Sequence, residues 1–384
     1  MKRLTVLGST GSIGHQALEV ADRHRDRVRV TALATGRDLE ELCRQARAWQ
    51  PEFLGLERAS DPTRAGEALK RACPSARVVV GSGAAALVAG EAECDLVVNG
   101  IVGAAGLGPS LHALQAGRRL ALANKETLVI GGPLVRAKLR AGGGELIPVD
   151  SEHSAALQCL GGRPPAEVTR LVLTASGGPL RNHADWREAT RDEVLSHPVW
   201  SMGPRITVDS ALLFNKGLEL IEAHWLFGLS WEQLDAVLHP QAHVHAWAEF
   251  VDGSVVAQAA TPDMRLPIQL ALSWPERWPD PTLPRPRLPL AGLDFSPLER
   301  GRYPAFDLAV AAGKAGGTAP CALNAADEVA VEAFLEGAIS LGQVPEVIAA
   351  VMEAHRVEPV ESLAQLLRVD EWARAEARGR AVRV

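Results

Sequence analysis

Two carboxylates stand two residues apart in Pro148-Val149-Asp150-Ser151-Glu152-His153. A glycine run (Gly142, Gly143, Gly144) and the apolar pair Leu146-Ile147 precede them, so the stretch reads as the end of a buried strand. In extended chain, Asp150 and Glu152 fall on one side. Acids that close repel unless a cation or a proton lies between them. A hard divalent ion with oxygen ligands, Mg²⁺ or Mn²⁺ with Co²⁺ as a further candidate, suits such a pair. The competing reading is a solvated turn that caps a helix with an acid. A third acid comes later, in Asn215-Lys216-Gly217-Leu218-Glu219. Leu212, Leu213, Leu220 and Ile221 supply an apolar helical face there, and Asn215, Lys216 and Glu219 share one side at i, i+1 and i+4. Glu219 is the candidate third ligand. Glu222 is the competing acid and is expected to face solvent. The alternative for this trio is a surface salt-bridge cluster.

Chemistry at these acids needs elements to hold them. The chain opens on a short apolar strand, Leu4-Thr5-Val6-Leu7, then Gly8-Ser9-Thr10-Gly11-Ser12-Ile13-Gly14, then a helical stretch from about His15 to Arg23. Strand, glycine turn and helix form the phosphate-binding opening of a dinucleotide fold. The spacing is GxxGxxG rather than GxGxxG, but a backbone free to approach a pyrophosphate and a helix N-terminus serve the same end. The strand from Val28 to Ala34 ends at Thr35-Gly36-Arg37-Asp38. It carries no acid for ribose hydroxyls, and Arg37 suits a 2′-phosphate, which favours NADP over NAD. Asp38 works against that preference unless it caps a helix or turns away.

Strands and helices keep alternating through Arg77–Val80, Asp95–Asn99 and Arg119–Ala123, which implies a right-handed parallel sheet. Ligands of such sheets bind beyond the carboxyl ends of strands. Asn124, Lys125, Glu126, Asp150 and Glu152 all lie just past such ends.

The strand Leu171–Ala175 breaks at Ser176-Gly177-Gly178-Pro179, and a polar stretch runs on to His197-Pro198-Val199-Trp200-Ser201-Met202-Gly203. This reads as a mobile lid over about 176–204, with Ser176 and Gly203 at its hinges. His197 can donate to a substrate phosphate, and Trp200 can exclude water. His239, His243 and His245 read as structural, since Val244-His245-Ala246-Trp247 alternates like a strand and no cysteine is near. Prolines then recur from Pro275 to Pro304, Pro289 among them, and read as a stiff extended connector. Phe306–Ala312, Leu323–Leu335, Pro345–His355 and Ser362–Arg378 read as helices.

The expected architecture is α/β: an N-terminal Rossmann-like parallel sheet over 1–149, a central α+β catalytic domain over 150–274, a Pro-rich linker over 275–304 and a small C-terminal helical domain over 305–384. Strand signals at Ala236–Leu238, His243–Phe250 and Ser254–Gln258 suggest a second sheet with an edge that pairs.

The chain has 384 residues, 47% hydrophobic and 22% charged, which fits a globular protein of two or three domains. A net charge of −6 argues against nucleic acid as the main partner. Five scattered cysteines without metal-site spacing fit a reducing cytoplasm. The first residues run straight into a strand, unlike a signal peptide, and no apolar run is long enough to cross a membrane.

Taken together, the glycine turn, Asn124-Lys125-Glu126, the Pro148–His153 acids, Ser176-Gly177-Gly178-Pro179, the His197–Gly203 run and Asn215–Glu219 occur in an order that resembles the 1-deoxy-D-xylulose 5-phosphate reductoisomerase family. The likeness extends to Leu323-Asn324-Ala325-Ala326. It implies an NADPH-dependent, divalent-metal-dependent homodimer that rearranges and then reduces a ketose phosphate. By the same resemblance, Asp150, Glu152 and Glu219 bind the metal. Lys125, Ser151 and Glu152 contact the substrate. Ser176, His197, Ser210, Asn215 and Lys216 surround it, mostly at the phosphate end, and Trp200 covers it. Thr10, Gly11, Ser12, Ile13, Gly36, Arg37, Asp38, Asn124, Glu126 and Gly203 hold NADPH. Asp38 and Asp327 stand where such proteins usually carry Asn, and the helix of Asp327 is not expected to touch the site. Two other readings compete. One is an acyl-enzyme dehydrogenase, which needs an activated cysteine, Cys159 being nearest to the acids. The other is a non-catalytic NADPH sensor on the same fold.

Overall fold

The computed structural model describes residues 1–200, 202–286, 290, 292–299 and 301–382. Ser201 and Pro289 lie outside the described residues. The chain forms two compact units: Met1–Thr127, Leu134–Ser154 and Asp263–Pro284 make the first, and Leu128–Pro133, Ala155–Pro262 and Arg285–Val384 the second.

The first unit is built on seven parallel strands: β1 (Lys2–Leu7), β2 (Val28–Thr35), β3 (Phe53–Leu56), β4 (Arg77–Val80), β5 (Leu96–Asn99), β6 (Arg119–Leu122) and β7 (Glu145–Pro148). Their order is β4-β3-β2-β1-β5-β6-β7. Most are short apolar runs buried on both faces, as helix-covered parallel strands must be. The order reverses between β1 and β5, whose registers match Leu4 to Leu96 and Leu7 to Asn99. That reversal opens the crevice in which such sheets bind ligands.

The segment 263–284 belongs to this unit rather than to a central domain or a linker. Its helix Arg265–Ser273 places backbone carbonyls against the sheet. Lys2 Nζ donates to Leu272 O at 2.8 Å, and Arg119 Nη1 donates to Trp274 O at 2.7 Å. Arg23 pairs with Asp280 at 3.2 Å, and His24 Nε2 meets Gln269 Oε1 at 2.9 Å.

The second unit carries a five-stranded mixed sheet: β8 (Val168–Ala175), β9 (Leu234–Leu238), β10 (Val244–Phe250), β11 (Val255–Ala259) and β12 (Ser296–Pro297). The order is β11-β10-β8-β9-β12. Thus the connector expected after Pro275 splits: its first part packs on the first unit, and Ser296–Pro297 pairs with β9. The helices Phe214–Phe227, Pro304–Ala315, Ala319–Leu335 and Gln343–Ala354 share one apolar core rich in alanine. Small residues let these helices approach closely. A Cβ on Gly217 would stand 2.5 Å from the Cβ of Ala309. That contact fixes the helix bearing Glu219.

The helix of Asp327, Ala319–Leu335, packs against the helix Pro204–Ala211, which carries Ser210. Arg205 Nη2 lies 3.5 Å from Asp327 Oδ2.

Candidate active site

The glycine turn after β1 sits where the strand order reverses. Gly8 has φ +72°, and a Cβ there would lie 2.8 Å from the backbone of Gly100 after β5. Only glycine permits both the left-handed backbone and that approach. Gly11 caps the helix Ser12–Arg23 with no side chain bonded to its first turn, so the amide end stays open to an anion. Thr10 Oγ1 bonds Thr35 Oγ1 at 2.5 Å, which ties the turn to the end of β2. Gly36 and Arg37 are exposed there. Asp38 is the N-cap of the helix Leu39–Trp49, where Oδ1 accepts from the Glu41 amide at 2.9 Å. Its charge is therefore committed to a helix end.

Asn124 and Glu126 are buried. Asn124 Nδ2 donates to Ile101 O at 2.8 Å and to Gly103 O at 3.0 Å, and Glu126 Oε1 accepts from the Gly103 amide at 3.1 Å. Together they shape the loop after β5, beside the glycine turn.

The acid pair is not on extended chain. β7 ends at Pro148 and a helix, Ser151–Leu160, begins at once. Asp150 thus precedes a helix, and Glu152 lies in its first turn. The acids thus flank a helix start, as the capping reading expects, but both are partly buried rather than set in a solvated turn. Asp150 Oδ1 accepts from the Ser151 amide at 3.0 Å. Asp150 Oδ2 lies 2.9 Å from Lys125 Nζ and 3.6 Å from His153 Nδ1. Burial alone would raise the Asp150 carboxyl. The charge of Lys125 and the contact with His153 outweigh it and hold the group well below the usual carboxylate range. Ser151 Oγ donates to Glu152 Oε2. His153 is wholly buried, and its contact with Asp150 depends on the helix turn, which the sequence pattern does not display.

In the second unit, β8 delivers Ser176 at its end. Ser176 Oγ lies 3.2 Å from His197 Nε2. His197 Nδ1 accepts from the amides of Val199 and Trp200 at 3.1 and 2.8 Å. Nδ1 is thus the acceptor, and the proton sits on Nε2. Burial pushes the imidazole pKa down, so it is neutral. The Trp200 ring lies 6.2 Å from that of His245. Within the stretch 176–204 expected as a lid, Leu180, Ala189 and Val194 are buried in the helical core.

Beyond it, the expected helix is two. Pro204–Ala211, capped by Gly203, carries Ser210, and Phe214–Phe227 carries the rest. They break at Leu213, a buried residue at φ +52°. Such a left-handed non-glycine residue costs of order 1–3 kcal/mol and marks a position fixed by its surroundings. Asn215 and Lys216 both donate to the Glu219 carboxylate. Lys216 is 3% and Glu219 1% exposed, so this is not a surface cluster. Glu222 is also 1% exposed, contrary to the solvent-facing position expected for it.

His239 Nε2 accepts from the His243 amide at 3.1 Å, and its Nδ1 meets Asp294 O at 2.9 Å, which fits a structural pair. All five cysteines are free and buried. Burial pushes the Cys159 thiol up to about 11, so it has no thiolate to offer an acyl-enzyme. No helix among the described residues is long and apolar enough to cross a membrane.

Models of 1-deoxy-D-xylulose 5-phosphate reductoisomerase match residues 4–132, its C-terminal domain residues 146–227, and a further C-terminal domain residues 259–376. The reductoisomerase of Heliobacterium modesticaldum is 45% identical over 97% of this chain and 96% of its own. That of Symbiobacterium thermophilum is 46% identical over 100% of both. The chain belongs to the 1-deoxy-D-xylulose 5-phosphate reductoisomerase family. Solved reductoisomerases agree. The Zymomonas mobilis reductoisomerase in complex with NADPH is 36% identical, with a TM-score of 0.92 over 99% of each chain. A reductoisomerase in complex with NADPH, fosmidomycin and magnesium is 35% identical, with a TM-score of 0.93 over 99% of this chain and 98% of that one.

Proposed function

We propose that this chain converts 1-deoxy-D-xylulose 5-phosphate into 2-C-methyl-D-erythritol 4-phosphate, in the non-mevalonate route to isoprenoid precursors, with NADPH and one divalent cation. The observation that carries this reading is Asp150, held ionised by Lys125 beside Glu152, at the end of a parallel strand in a sheet whose first turn is shaped for a dinucleotide. It stands in a chain 45% identical to a reductoisomerase over nearly its whole length.

Asp150, Glu152 and Glu219 hold the cation. What supports this set is its chemistry: three carboxylates offer hard oxygen donors, and Mg²⁺ or Mn²⁺ takes such donors. When bound, the cation polarises the substrate's adjacent oxygens, and NADPH supplies the hydride. Lys125 keeps Asp150 anionic and offers a cation to the substrate. Ser151 orients Glu152. His197 presents Nε2–H, with Ser176 beside it, to the phosphate end. Ser210, Asn215 and Lys216 complete that end, and Trp200 excludes water. Thr10, Gly11, Ser12, Ile13, Gly36, Arg37, Asn124, Glu126 and Gly203 bind NADPH, and Asp38 positions Arg37 by capping the helix behind it. The acyl-enzyme alternative fails on the buried thiols. A mere NADPH sensor would have no use for a buried Lys216–Glu219 pair or for a clamped Asp150. We further place the enzyme in the cytoplasm, as a homodimer.

The test follows NADPH absorbance with the substrate, with Mg²⁺ or Mn²⁺ and then with chelator. Asp150→Asn and Glu219→Gln are expected to abolish oxidation while NADPH still binds. A folded, NADPH-binding wild type that oxidises nothing overturns the substrate assignment.

A further inference from the structure

The ends of β2 and β3 stay in register beyond the strands themselves. Thr35 pairs with Leu56, and the pairing continues as Glu57 N donates to Thr35 O at 3.0 Å and Arg58 N to Gly36 O at 2.8 Å. Arg58 is therefore fixed by its backbone to the residue just before Arg37. The two guanidinium-bearing residues leave adjacent chain ends at the carboxyl edge of the sheet. Both line a cleft of about 660 Å³, together with Arg64, Leu39, Leu56 and Ala65. That size suits a nucleotide fragment rather than a single ion.

Asp61 lines this cleft and two more acids, Asp38 and Glu57, lie near it, and each is engaged with backbone amides. Asp38 caps the helix Leu39–Trp49. Glu57 turns to another helix start, accepting from the Gly83 amide at 2.7 Å and the Ala85 amide at 3.1 Å. Asp61 caps the helix Pro62–Ala72, accepting from the Arg64 amide at 3.0 Å. The arginines around the same elements differ from one another. Arg44 pairs with Glu41, and Arg71 pairs with Glu67. Among the described residues, the guanidinium groups of Arg37, Arg58 and Arg64 make no ion pair with a carboxylate. In a chain of net charge −6, a cleft that keeps its cations and commits its acids elsewhere is built for an anion.

We propose that Arg58 is a second clamp on the 2′-phosphate of NADPH, beside Arg37, and a determinant of the preference for NADPH over NADH. The inference rests on reading Arg37 as the phosphate-end residue and adds a residue that no glycine-turn motif reveals. A 2′-phosphate is dianionic and presents three oxygens. Two guanidinium forks from adjacent strands can meet it from two sides, each with paired N–H donors. The arrangement also accounts for Asp38, whose carboxylate would otherwise oppose the phosphate: it is held at a helix start and is outnumbered by the two arginines.

Isothermal titration of the full chain with 2′,5′-ADP and with 5′-ADP tests this without turnover. Arg58→Gln is expected to weaken 2′,5′-ADP at least ~10-fold, the scale of a charge-assisted hydrogen bond, and to leave 5′-ADP within about twofold. Arg58→Lys should restore part of the loss, since it returns the charge but not the fork. Arg58 is exposed, so neither substitution disturbs a core. Wild-type affinity for 2′,5′-ADP in Arg58→Gln, with a loss in Arg37→Gln, overturns the inference and leaves the Arg37 reading standing. Unchanged affinity in both variants overturns the two together.

Discussion

His197 shows how one half-buried residue can shape a loop and still offer a donor to a ligand. Its Nδ1 accepts two backbone amides, from Val199 and Trp200, and so shapes the turn that carries Trp200. Protonation would put a proton on Nδ1 facing those amides and break the turn. The sign follows from the depressed pKa: the neutral form is favoured in the folded state, so its contribution is complete above the ordinary value of 6.5 and is lost as pH falls through the lower folded value. The expected result is an acid limb in kcat/KM below about pH 6.5, arising from the lid. His197→Asn separates the two functions. Its Oδ1 can accept in place of Nδ1, while nothing replaces the Nε2 donor. KM for the sugar phosphate should rise ~10-fold, the worth of a hydrogen bond to a charged group, and the acid limb should flatten. Steady-state pH profiles measure both. A limb unchanged in His197→Asn would assign it to another group. At this scale the sequence displayed residue types well and environments poorly. The acids and Lys125 were visible because a parallel sheet must present ligands at its strand ends. The burial of Glu222 was not, because Asn215, Glu219 and Glu222 line one side of the helix Phe214–Phe227 as a solvent face would, yet Glu219 and Glu222 are both buried.

Among the elements, the contact between the helices Pro204–Ala211 and Ala319–Leu335 carries more acid than base. Arg205 faces Asp209 at 3.8 Å, Asp327 at 3.5 Å and Glu328 at 3.0 Å. Arg374, from the last helix, takes Glu328 at 2.6 Å and Asp370 at 2.7 Å. Burial raises the Asp327 carboxyl well above its ordinary 3.8, and the charge of Asp209 adds to it. A raised acid costs nothing below pH 3.8, where folded and unfolded chains are both protonated, and destabilises increasingly as pH rises through the folded value. Asp327→Asn supplies the neutral shape at every pH. It should raise the thermal midpoint by about 2–4 °C per kcal/mol gained at pH 8, with the gain shrinking toward pH 4. Calorimetry across that range checks it. A lower midpoint at pH 8 would mean that Asp327 is ionised and paired to Arg205. The strands that build the first sheet were legible because short apolar runs between turn residues have few other folds open to them. The segment 263–284 was not. It is held by Lys2 and Arg119 donating to the carbonyls of Leu272 and Trp274, and a backbone acceptor leaves no mark on residue type.

Over the whole molecule, the remaining question is what completes the second sheet. One edge, β12, is two residues long and contains Pro297, which cannot donate to a neighbour. The other edge, β11, is Val255-Val256-Ala257-Gln258-Ala259, with no charge and no proline, and its pairing with β10 is regular from Val255 to Gln258 before a bulge opposite Ala259. Val255 is 60% exposed and Val256 44%. Edge strands left in water are normally guarded by lysine, proline or shortness, so an unguarded one of this kind invites pairing. A second copy of the chain, the homodimer proposed above, would fit such an edge. An isologous contact would lay β11 antiparallel to its twin and satisfy both rows of backbone groups without altering either site's residues. Sedimentation of the wild type should therefore give about twice the chain mass of 40.9 kDa. Val256→Lys places at the edge the residue that natural sheets use to prevent pairing, and Ala257→Pro removes a ladder donor. Together they should shift the protein to the single-chain mass with its fold intact by circular dichroism. A double variant that keeps the wild-type mass would move the dimer contact elsewhere, and a monomeric wild type would remove the homodimer from this reading.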